Sequence, residues 1–229
     1  MKLNVLHSKS FVQDATELII DKANESLKAR GKFILGLCGG KTPEPVYAEL
    51  AKKKALLHWD NIFITFGDER CVNPDHEESN FRMTKKVLFD QIELPPQNVY
   101  RIHGEEAPDK AAIDYEKEIM HLNDQNSDNI MRHDLLLLGM GDDGHTASLF
   151  PETSALSDLS HLVVSNFVPK FGSYRITFTY KLINASRHIC FLVNDARKET
   201  VLNEILKGNH AYPATNVTAT ESLTWLLGF

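Results

Sequence analysis

The segment GMGDDGHTASLFP, residues 139–151, holds the residues whose types and spacing are most typical of catalysis. Asp143 and His145 lie two positions apart, so both side chains can approach one reacting centre in an extended turn. A carboxylate beside an imidazole orients the ring and raises its basicity, which makes His145 a candidate general base. A solvated loop histidine is one alternative interpretation. A metal site is another, although no second histidine lies at ligand spacing.

A second candidate is the segment FILGLCGGKTPEP, residues 33–45, in which glycines and a Lys-Thr pair follow an apolar run. The phosphate loop of nucleotide-binding proteins has four residues between its first glycine and its Gly-Lys pair. Here Gly36 and Gly40 enclose only three residues. The segment is therefore not predicted to bind ATP.

The same turn has features that suit the phosphate of a smaller molecule. Gly39 and Gly40 permit close approach of the backbone to a ligand, and Lys41 adds a positive charge. Thr42 can cap a helix whose first turn begins at Pro43, and a helix N-terminus supplies free N–H groups and a partial positive charge. An ordinary tight strand-to-helix turn would have the same composition, so this segment alone leaves both interpretations open.

Further charged residues follow other apolar runs. The segment FGDERC contains Asp68, Glu69 and Arg70, and the planar fork of an arginine matches the oxygens of a phosphate or carboxylate. The two acids could orient that arginine or bind sugar hydroxyls, but a salt-bridged network is the simpler alternative. Arg175 and Lys198 are surface charges unless the fold brings them to the glycine turn.

These candidates require elements that bring distant segments together. Short apolar runs alternate with longer stretches of helical period. Strands are predicted at 3–7, 32–38, 61–67, 133–141, 161–167, 174–180 and 188–194. Helices are predicted at 10–30, 43–56, 79–89, 107–122, 195–207 and 220–226.

This alternation predicts one α/β domain over residues 1–229, with a doubly wound, largely parallel sheet and helices on both faces. The unbroken Leu run within 133–141 is typical of a strand that is covered on both sides. Ligands of such sheets bind beyond the carboxyl ends of the strands. Because the three polar segments each follow a predicted strand, we expect them to meet in one site.

Composition narrows the class of ligand. The chain has 229 residues, 42% of them hydrophobic, and 25 basic against 31 acidic side chains give a net charge of −6. This balance argues against a nucleic-acid partner, and an anionic small molecule would need a local cluster of positive groups. Cys38, Cys71 and Cys190 form no Cys-x-x-Cys pair, so neither a disulfide framework nor a zinc site is indicated.

The N-terminal segment and the overall hydropathy indicate the compartment. The first ten residues lack the apolar run of a signal peptide, and no stretch approaches membrane-spanning length. We expect a cytoplasmic protein with no membrane partner. The sequence leaves the choice between monomer and homodimer open.

Taken together, these segments resemble the 6-phosphogluconolactonase family. GGKTP, FGDER with the following ESN, and LLGMGDDGHTASLFP occur in the order and approximate spacing of that family. VPKFGSYRIT, FLVNDARKE and PATNV match its later segments, so the resemblance covers about 33–225. Two features depart from the family: Lys41 stands where serine is common, and the ending is shortened to WLLGF, so we expect the terminal helix to pack differently.

The family shares a Rossmann-like fold with glucosamine-6-phosphate deaminases, and two differences separate them. Deaminases carry a glutamate five residues after the corresponding histidine, where this chain has Phe150. They usually have Asp-Glu-Tyr, where this chain has Asp-Glu-Arg at 68–70. Both differences favour the lactonase.

The resemblance implies hydrolysis of 6-phospho-D-glucono-1,5-lactone to 6-phosphogluconate in the oxidative pentose phosphate pathway, without cofactor or metal. It implies that His145 is the base and that Asp143 orients it. The implied substrate site contains Gly39, Gly40, Lys41, Thr42, Asp68, Arg70, Gly144, Arg175 and Lys198. An amino-sugar phosphate deaminase or isomerase, and a sugar-phosphate sensor without activity, remain as alternatives.

Overall fold

Nine strands and six α-helices lie in the part of the chain that the computed structural model describes, residues 1–123 and 130–229. The strands are β1 Lys2–His7, β2 Phe33–Leu37, β3 Ile62–Phe66, β4 Asp68–Arg70, β5 Leu135–Leu138, β6 Val163–Val168, β7 Ser173–Phe178, β8 His188–Val193 and β9 Ser222–Leu227. The helices are α1 Phe11–Arg30, α2 Glu44–Lys52, α3 Asn80–Val87, α4 Pro108–Met120, α5 Tyr180–Ala185 and α6 Glu199–Leu206.

The main sheet has six parallel strands in the order β1-β9-β8-β5-β2-β3 and is flanked by helices. Strands β2 and β5 are buried along their whole length, and all four leucines of β5 are at most 1% exposed. Apolar residues on both faces of a strand require cover on both faces, which the crossover helices of a parallel sheet supply. The predicted α/β fold is confirmed.

Helix α1 illustrates how the local sequence sets these elements. Ala15, Ile19 and Ala23 recur at helical spacing and are at most 1% exposed. The helix ends at Gly31, which adopts a left-handed φ of 73° and donates its N–H to the Leu27 carbonyl oxygen at 2.9 Å. A glycine that closes the last turn in this way allows the chain to reverse directly into β2.

A second, antiparallel sheet of three strands in the order β4-β7-β6 was not predicted. The segments predicted as strands at 161–167 and 174–180 belong to this sheet and not to the main one. The physical reason is the short connection between β6 and β7, because parallel strands need a crossover of a dozen or more residues. The sheet pairs Arg70 with Arg175 in register, which brings two cationic residues side by side.

The prediction of a helix at 220–226 is wrong. Ser222–Leu227 form strand β9, which lies between β1 and β8. Trp225 stacks on Phe191 of β8, with ring centroids 3.9 Å apart. A short apolar run does not reveal by periodicity whether it will be a buried strand or a buried helix. The expected change in packing of a terminal helix therefore does not apply.

Two smaller differences concern helix starts near the site. Helix α2 begins at Glu44 rather than at Pro43, and Thr42 makes no side-chain cap to it. The segment predicted as one helix at 195–207 begins with a 3-10 turn at Ala196–Lys198 before α6. In the described ranges, no helix is both long enough and apolar enough to cross a membrane.

Candidate active site

A cleft of about 820 Å³ opens at the carboxyl edge of the main sheet. Its walls come from the turn after β2, strand β4, the loop after β5, the hairpin between β6 and β7, and the segment after β8. The predicted residues that line it are Gly39, Gly40, Lys41, Thr42, Asp68, Arg70, His145, Arg175 and Lys198. The three polar segments identified in the sequence therefore meet in one place, together with two cationic residues from later in the chain.

Asp143 and His145 form a hydrogen-bonded pair at this cleft. His145 Nδ1 lies 2.5 Å from Asp143 Oδ1. Burial raises the pKa of Asp143, but hydrogen bonds from His145 and Lys170 outweigh burial and hold that pKa well below its usual range. Asp143 is therefore a carboxylate, which can only accept, so Nδ1 carries the proton. The lone pair of Nε2, which has no partner among the described residues, is left free to act as a base.

The turn that carries this pair is closed by its own backbone. Gly141 donates its N–H to the His145 carbonyl oxygen at 2.9 Å, and Gly144 donates to the Gly141 carbonyl oxygen at 3.1 Å. A Cβ at Gly141 would lie 2.0 Å from His145 Cε1 and Nδ1. Only glycine at position 141 allows the imidazole to lie this close to the backbone.

Gly144 does not line the cleft, unlike the predicted placement. It adopts a left-handed φ of 71°, and a Cβ there would lie 2.7 Å from the side chain of Tyr212. Its carbonyl oxygen accepts the N–H of Ala214 at 2.9 Å. Gly144 thus shapes the turn and ties it to the 3-10 turn at Pro213–Asn216.

Phe150 covers one face of the imidazole. Its ring stacks on that of His145 with centroids 3.9 Å apart and an interplanar angle of 23°. Phe150 is itself buried and meets Phe171 edge to face at 5.7 Å. The position at which deaminases carry a glutamate is therefore filled by an apolar ring that restrains the plane of the histidine.

Two arginines form the cationic part of the cleft. Arg175 is only 9% exposed, and its guanidinium makes no hydrogen bond or ion pair to the residues that the structure describes. Burial, and then the neighbouring Arg70, lower the pKa of the Arg175 guanidinium. The guanidinium carbon lies 5.3 Å from the centroid of Phe171. A buried guanidinium that no described side chain or carbonyl pairs with, next to the partly exposed Arg70, favours an anion in the cleft.

The glycine turn after β2 adds free donors to the same space. The N–H groups of residues 39–42 donate to no acceptor within the described ranges. Gly40 has a left-handed φ of 98°. A Cβ at Gly39 would lie 1.8 Å from Asn80 Oδ1, so the close approach of α3 requires glycine there. Free N–H groups before a helix, together with Lys41, are suited to phosphate oxygens.

Lys198 reaches the cleft from the start of α6. Its ammonium group donates to the Met140 carbonyl oxygen at 2.5 Å and lies 3.9 Å from Asp142 Oδ1. Lys198 thus places a positive charge in the wall of the cleft. Its hydrogen bond to Met140 also connects the segment after β8 with the loop after β5.

Asp68 and Glu69 have different roles, which the sequence did not separate. Asp68 lines the cleft and accepts hydrogen bonds from Ser148 Oγ at 2.6 Å and Asn80 Nδ2 at 3.3 Å. Glu69 instead accepts the N–H groups of Asn80 and Phe81, each at 2.8 Å, at the start of α3. Burial raises the pKa of Glu69, and the suggestion that it binds sugar hydroxyls is not supported because it does not line the cleft.

Sequence reasoning missed several residues that line the cleft, including Asn80, Ser148, Lys170 and Phe171. All four lie inside segments that carried the family resemblance. Asn80, Ser148 and Lys170 are polar residues of such segments, which is a signal that could have found them, whereas Phe171 carries no such signal. Over the ranges described, no group of three or more His, Cys, Asp or Glu side chains could hold a metal ion.

Similarity to known proteins identifies the family of this chain. The family model described as glucosamine-6-phosphate isomerases/6-phosphogluconolactonase matches residues 7–225. The chain belongs to this family. It is 36% identical over 223 residues to a 6-phosphogluconolactonase of Nostoc sp., covering 95% of this chain and 91% of that relative. A Synechocystis 6-phosphogluconolactonase is also 36% identical, over 97% of this chain and 93% of its own length.

Solved structures of family members have the same fold. The crystal structure of a 6-phosphogluconolactonase from Thermotoga maritima has a TM-score of 0.87 and 32% identity, covering 100% of this chain and 99% of that one. A monomeric glucosamine-6-phosphate deaminase is similar in fold, with a TM-score of 0.80 at 23% identity over 99% of this chain and 97% of its own. The extent of similarity to lactonases confirms the enzyme class predicted from the sequence, a 6-phosphogluconolactonase.

Proposed function

We propose that this chain hydrolyses 6-phospho-D-glucono-1,5-lactone to 6-phosphogluconate, a step of the oxidative pentose phosphate pathway, with His145 as the general base. One observation carries the proposal. A histidine with a free Nε2 lines the same cleft as two arginines and a turn of unpaired N–H groups. Such a cleft can hold a phosphorylated sugar and activate water beside it.

The geometry of the hydrogen-bonded pair Asp143–His145, called the dyad below, supports a base step. Nε2 of His145 removes a proton from water as the water oxygen attacks the lactone carbonyl carbon. The carboxylate of Asp143, bonded to Nδ1, stabilises the imidazolium that forms. When the bond between the carbonyl carbon and the ring oxygen breaks, the imidazolium returns its proton to that oxygen. A lactone is an activated ester, so water and a base suffice.

Charge on the reacting oxygen and on the phosphate needs separate partners. Arg70 or free backbone N–H groups can stabilise the oxyanion, because preorganised donors act strongly in a site with little water. The turn at residues 39–42, Arg175 and Lys198 can hold the phosphate, and Asp68 can accept a sugar hydroxyl. Binding energy from the phosphate positions the ring at a point remote from the reacting bond.

A coupled assay tests the activity directly. Freshly generated lactone is added to the protein, and release of 6-phosphogluconate is followed through its enzymatic oxidation, with the spontaneous ring opening subtracted. We expect release well above that background. A rate no greater than background would contradict the proposal.

The same preparation separates the alternatives. Ammonia release from glucosamine 6-phosphate would indicate a deaminase, which the ring of Phe150 beside His145 disfavours. Binding of 6-phosphogluconate, measured by calorimetry, with no turnover of the lactone would indicate a sensor.

A further inference from the structure

Lys170 lies at the tip of the hairpin between β6 and β7, in the 3-10 turn Pro169–Phe171. Its Nζ is 2.9 Å from Asp143 Oδ2, although the two residues are 27 positions apart in the chain. The other oxygen of the same carboxylate, Oδ1, is 2.5 Å from His145 Nδ1. The carboxylate of Asp143 thus connects a lysine from the hairpin of the small sheet with a histidine from the loop after β5 of the main sheet.

We propose that Lys170 is a positioning residue that, through Asp143, sets the pH at which His145 becomes a free base. The proposal deepens the proposed function and rests on it, because it assigns a role to a residue that contacts the Asp143 carboxylate. Lys170 acts on the reaction through another side chain.

Lys170 fixes the orientation of the Asp143 carboxylate. Asp143 Oδ1 accepts both His145 Nδ1 and the backbone N–H of His145, the latter at 3.2 Å. Oδ2 accepts the Lys170 ammonium group. With both oxygens engaged, rotation of the carboxylate would break contacts on both sides. Lys170 therefore holds Oδ1 toward the imidazole.

Lys170 also acts on His145 through its charge. A carboxylate alone beside a histidine stabilises the imidazolium and so raises the pKa of the ring. The positive charge of Lys170, at Asp143 Oδ2, offsets that effect, because it disfavours a second positive charge on the nearby imidazole ring. The neutral imidazole, which is the form that can take a proton from water, then persists to lower pH. Lys170 is about half exposed, with 54% of its side chain accessible, so solvent reduces the effect to a modest shift.

Other charged side chains face the cleft, and none of them takes the place of Lys170 beside Asp143. Asp142 lies near Lys198, Asp195 is paired with Arg197 at 2.7 Å, and Asp68 is held by neutral donors. The remaining charged groups that line the cleft are Lys41, Arg70, Glu78 and Arg175. Within the described ranges, Lys170 is the one cation in hydrogen-bonding contact with the dyad.

A direct substrate contact is the competing role, since Lys170 also lines the cleft and lies 5.7 Å from the Phe171 ring centroid. Lys170→Met removes the charge and keeps most of the aliphatic stem, whereas Lys170→Arg keeps the charge. The measurement is kcat/KM for the lactone as a function of pH, together with kcat and KM separately. Lys181→Met is the control, because Lys181 Nζ is exposed and contacts only the Ser160 carbonyl oxygen in the described structure.

We expect the acidic limb of the kcat/KM profile to move up by about 0.5 to 1 pH unit in Lys170→Met. The limb should return toward the wild-type position in Lys170→Arg and stay in place in Lys181→Met. An NMR titration of the His145 ring in the protein without substrate should show the same shift, assigned by comparison with His145→Ala.

Two outcomes would overturn the proposal. An unchanged limb with a raised KM would make Lys170 a substrate contact only, and a fall in kcat that is equal at every pH would make it structural only. Because the NMR titration needs no turnover, it tests the Lys170 assignment even if the lactone assay fails. A wild-type protein that hydrolyses lactone while Lys170→Met leaves the ring titration unmoved would defeat this inference and leave the proposed function standing.

Discussion

The two edges of the main sheet each carry a histidine next to strand β5, and their surroundings are opposite. His133, at the amino edge, is fully buried, with Nε2 2.9 Å from Thr65 Oγ1 and Nδ1 3.3 Å from Ser186 Oγ. His145, at the carboxyl edge, has a carboxylate on Nδ1 and a free Nε2. One histidine has a protein partner at each nitrogen, and the other keeps a nitrogen for a ligand.

The charged groups at the two edges repeat this difference. Asp134, beside His133, accepts Arg30 at 2.7 Å and the backbone N–H of Ile34 at 2.8 Å, and lies 3.4 Å from Arg187. Arg175, at the carboxyl edge, is also buried but has no ion-pair partner in the described chain. A buried polar group whose partners are complete serves the fold, whereas one whose partners are missing indicates where a ligand completes the set.

The largest expected effect is on turnover. His145→Gln should lower kcat by about 10²- to 10⁴-fold, because the reaction loses its general base, while the thermal midpoint changes little. His133→Gln should do the reverse. It should lower the free energy of unfolding by about 1 to 3 kcal/mol through mismatched buried hydrogen bonds and leave kcat per folded molecule near wild type.

Steady-state kinetics and thermal unfolding on both variants check this pair. Near-normal turnover in His145→Gln would remove the distinction between the two edges. A loss of turnover in folded His133→Gln would do the same.

The next effect is on substrate binding. Arg175→Met should raise KM by about 10- to 100-fold, because a charge-assisted contact to the phosphate is lost. It should not destabilise the protein, since it removes a buried cation whose guanidinium has no hydrogen-bonding partner in the part of the chain that the structure describes. Arg187→Met, at the amino edge, should leave KM unchanged and lower stability. If the two substitutions changed KM equally, the cationic part of the cleft would not be the phosphate site.

A third effect concerns the pH dependence of stability. Burial lowers the pKa of His133 from 6.5 to about 3 in the folded chain. Between those values the unfolded chain binds a proton that the folded chain does not, so stability falls as pH falls below the unfolded pKa. The loss should approach about 1.4 kcal/mol per pH unit from this one residue.

Urea unfolding of wild type and His133→Gln from neutral to mildly acidic pH measures this slope. The variant should lose less stability on acidification. Equal slopes in the two proteins would mean that His133 does not stay neutral in the folded state.

The smallest effect concerns the rings that cover the two histidines. Phe150→Leu removes the stack on His145 and should lower kcat about threefold to tenfold, since such contacts contribute about 0.5 to 1.5 kcal/mol. Phe178, whose ring centroid lies 5.2 Å from that of His133, is the matched site at the other edge. Phe178→Leu should lower the thermal midpoint without changing kcat. Unchanged kcat in Phe150→Leu would show that Asp143 alone orients the imidazole.

Local pattern was sufficient for the parts of the molecule whose structure depends on near neighbours. The Leu run of β5 predicted a strand covered on both faces, and the spacing of Asp143 and His145 predicted their contact. The rule that parallel strands present their carboxyl ends at one edge predicted that three polar segments would meet there. Each of these features depends on side-chain period, on a two-residue separation or on strand direction, all of which the sequence carries.

Other features depended on partners that are distant in the chain. Ser222–Leu227 became a strand because an open position between β1 and β8 could complete its hydrogen bonds, which its apolar pattern does not reveal. Glu69 became the acceptor for the start of α3, and not a ligand group, because α3 packs against β4.

The amino-acid sequence by itself determined the alternation of strands and helices, the edge of the sheet at which the polar segments meet and the closeness of Asp143 to His145. Only the tertiary structure decided which cations lie near Asp143 and His145, and which histidine keeps a ring nitrogen without a partner among the described residues. The placement of Lys170 beside Asp143 and of Arg175 beside Arg70 follows from docking the small antiparallel sheet on the large parallel one. Such docking is governed by the summed burial and pairing of many residues, and no short segment contains that information.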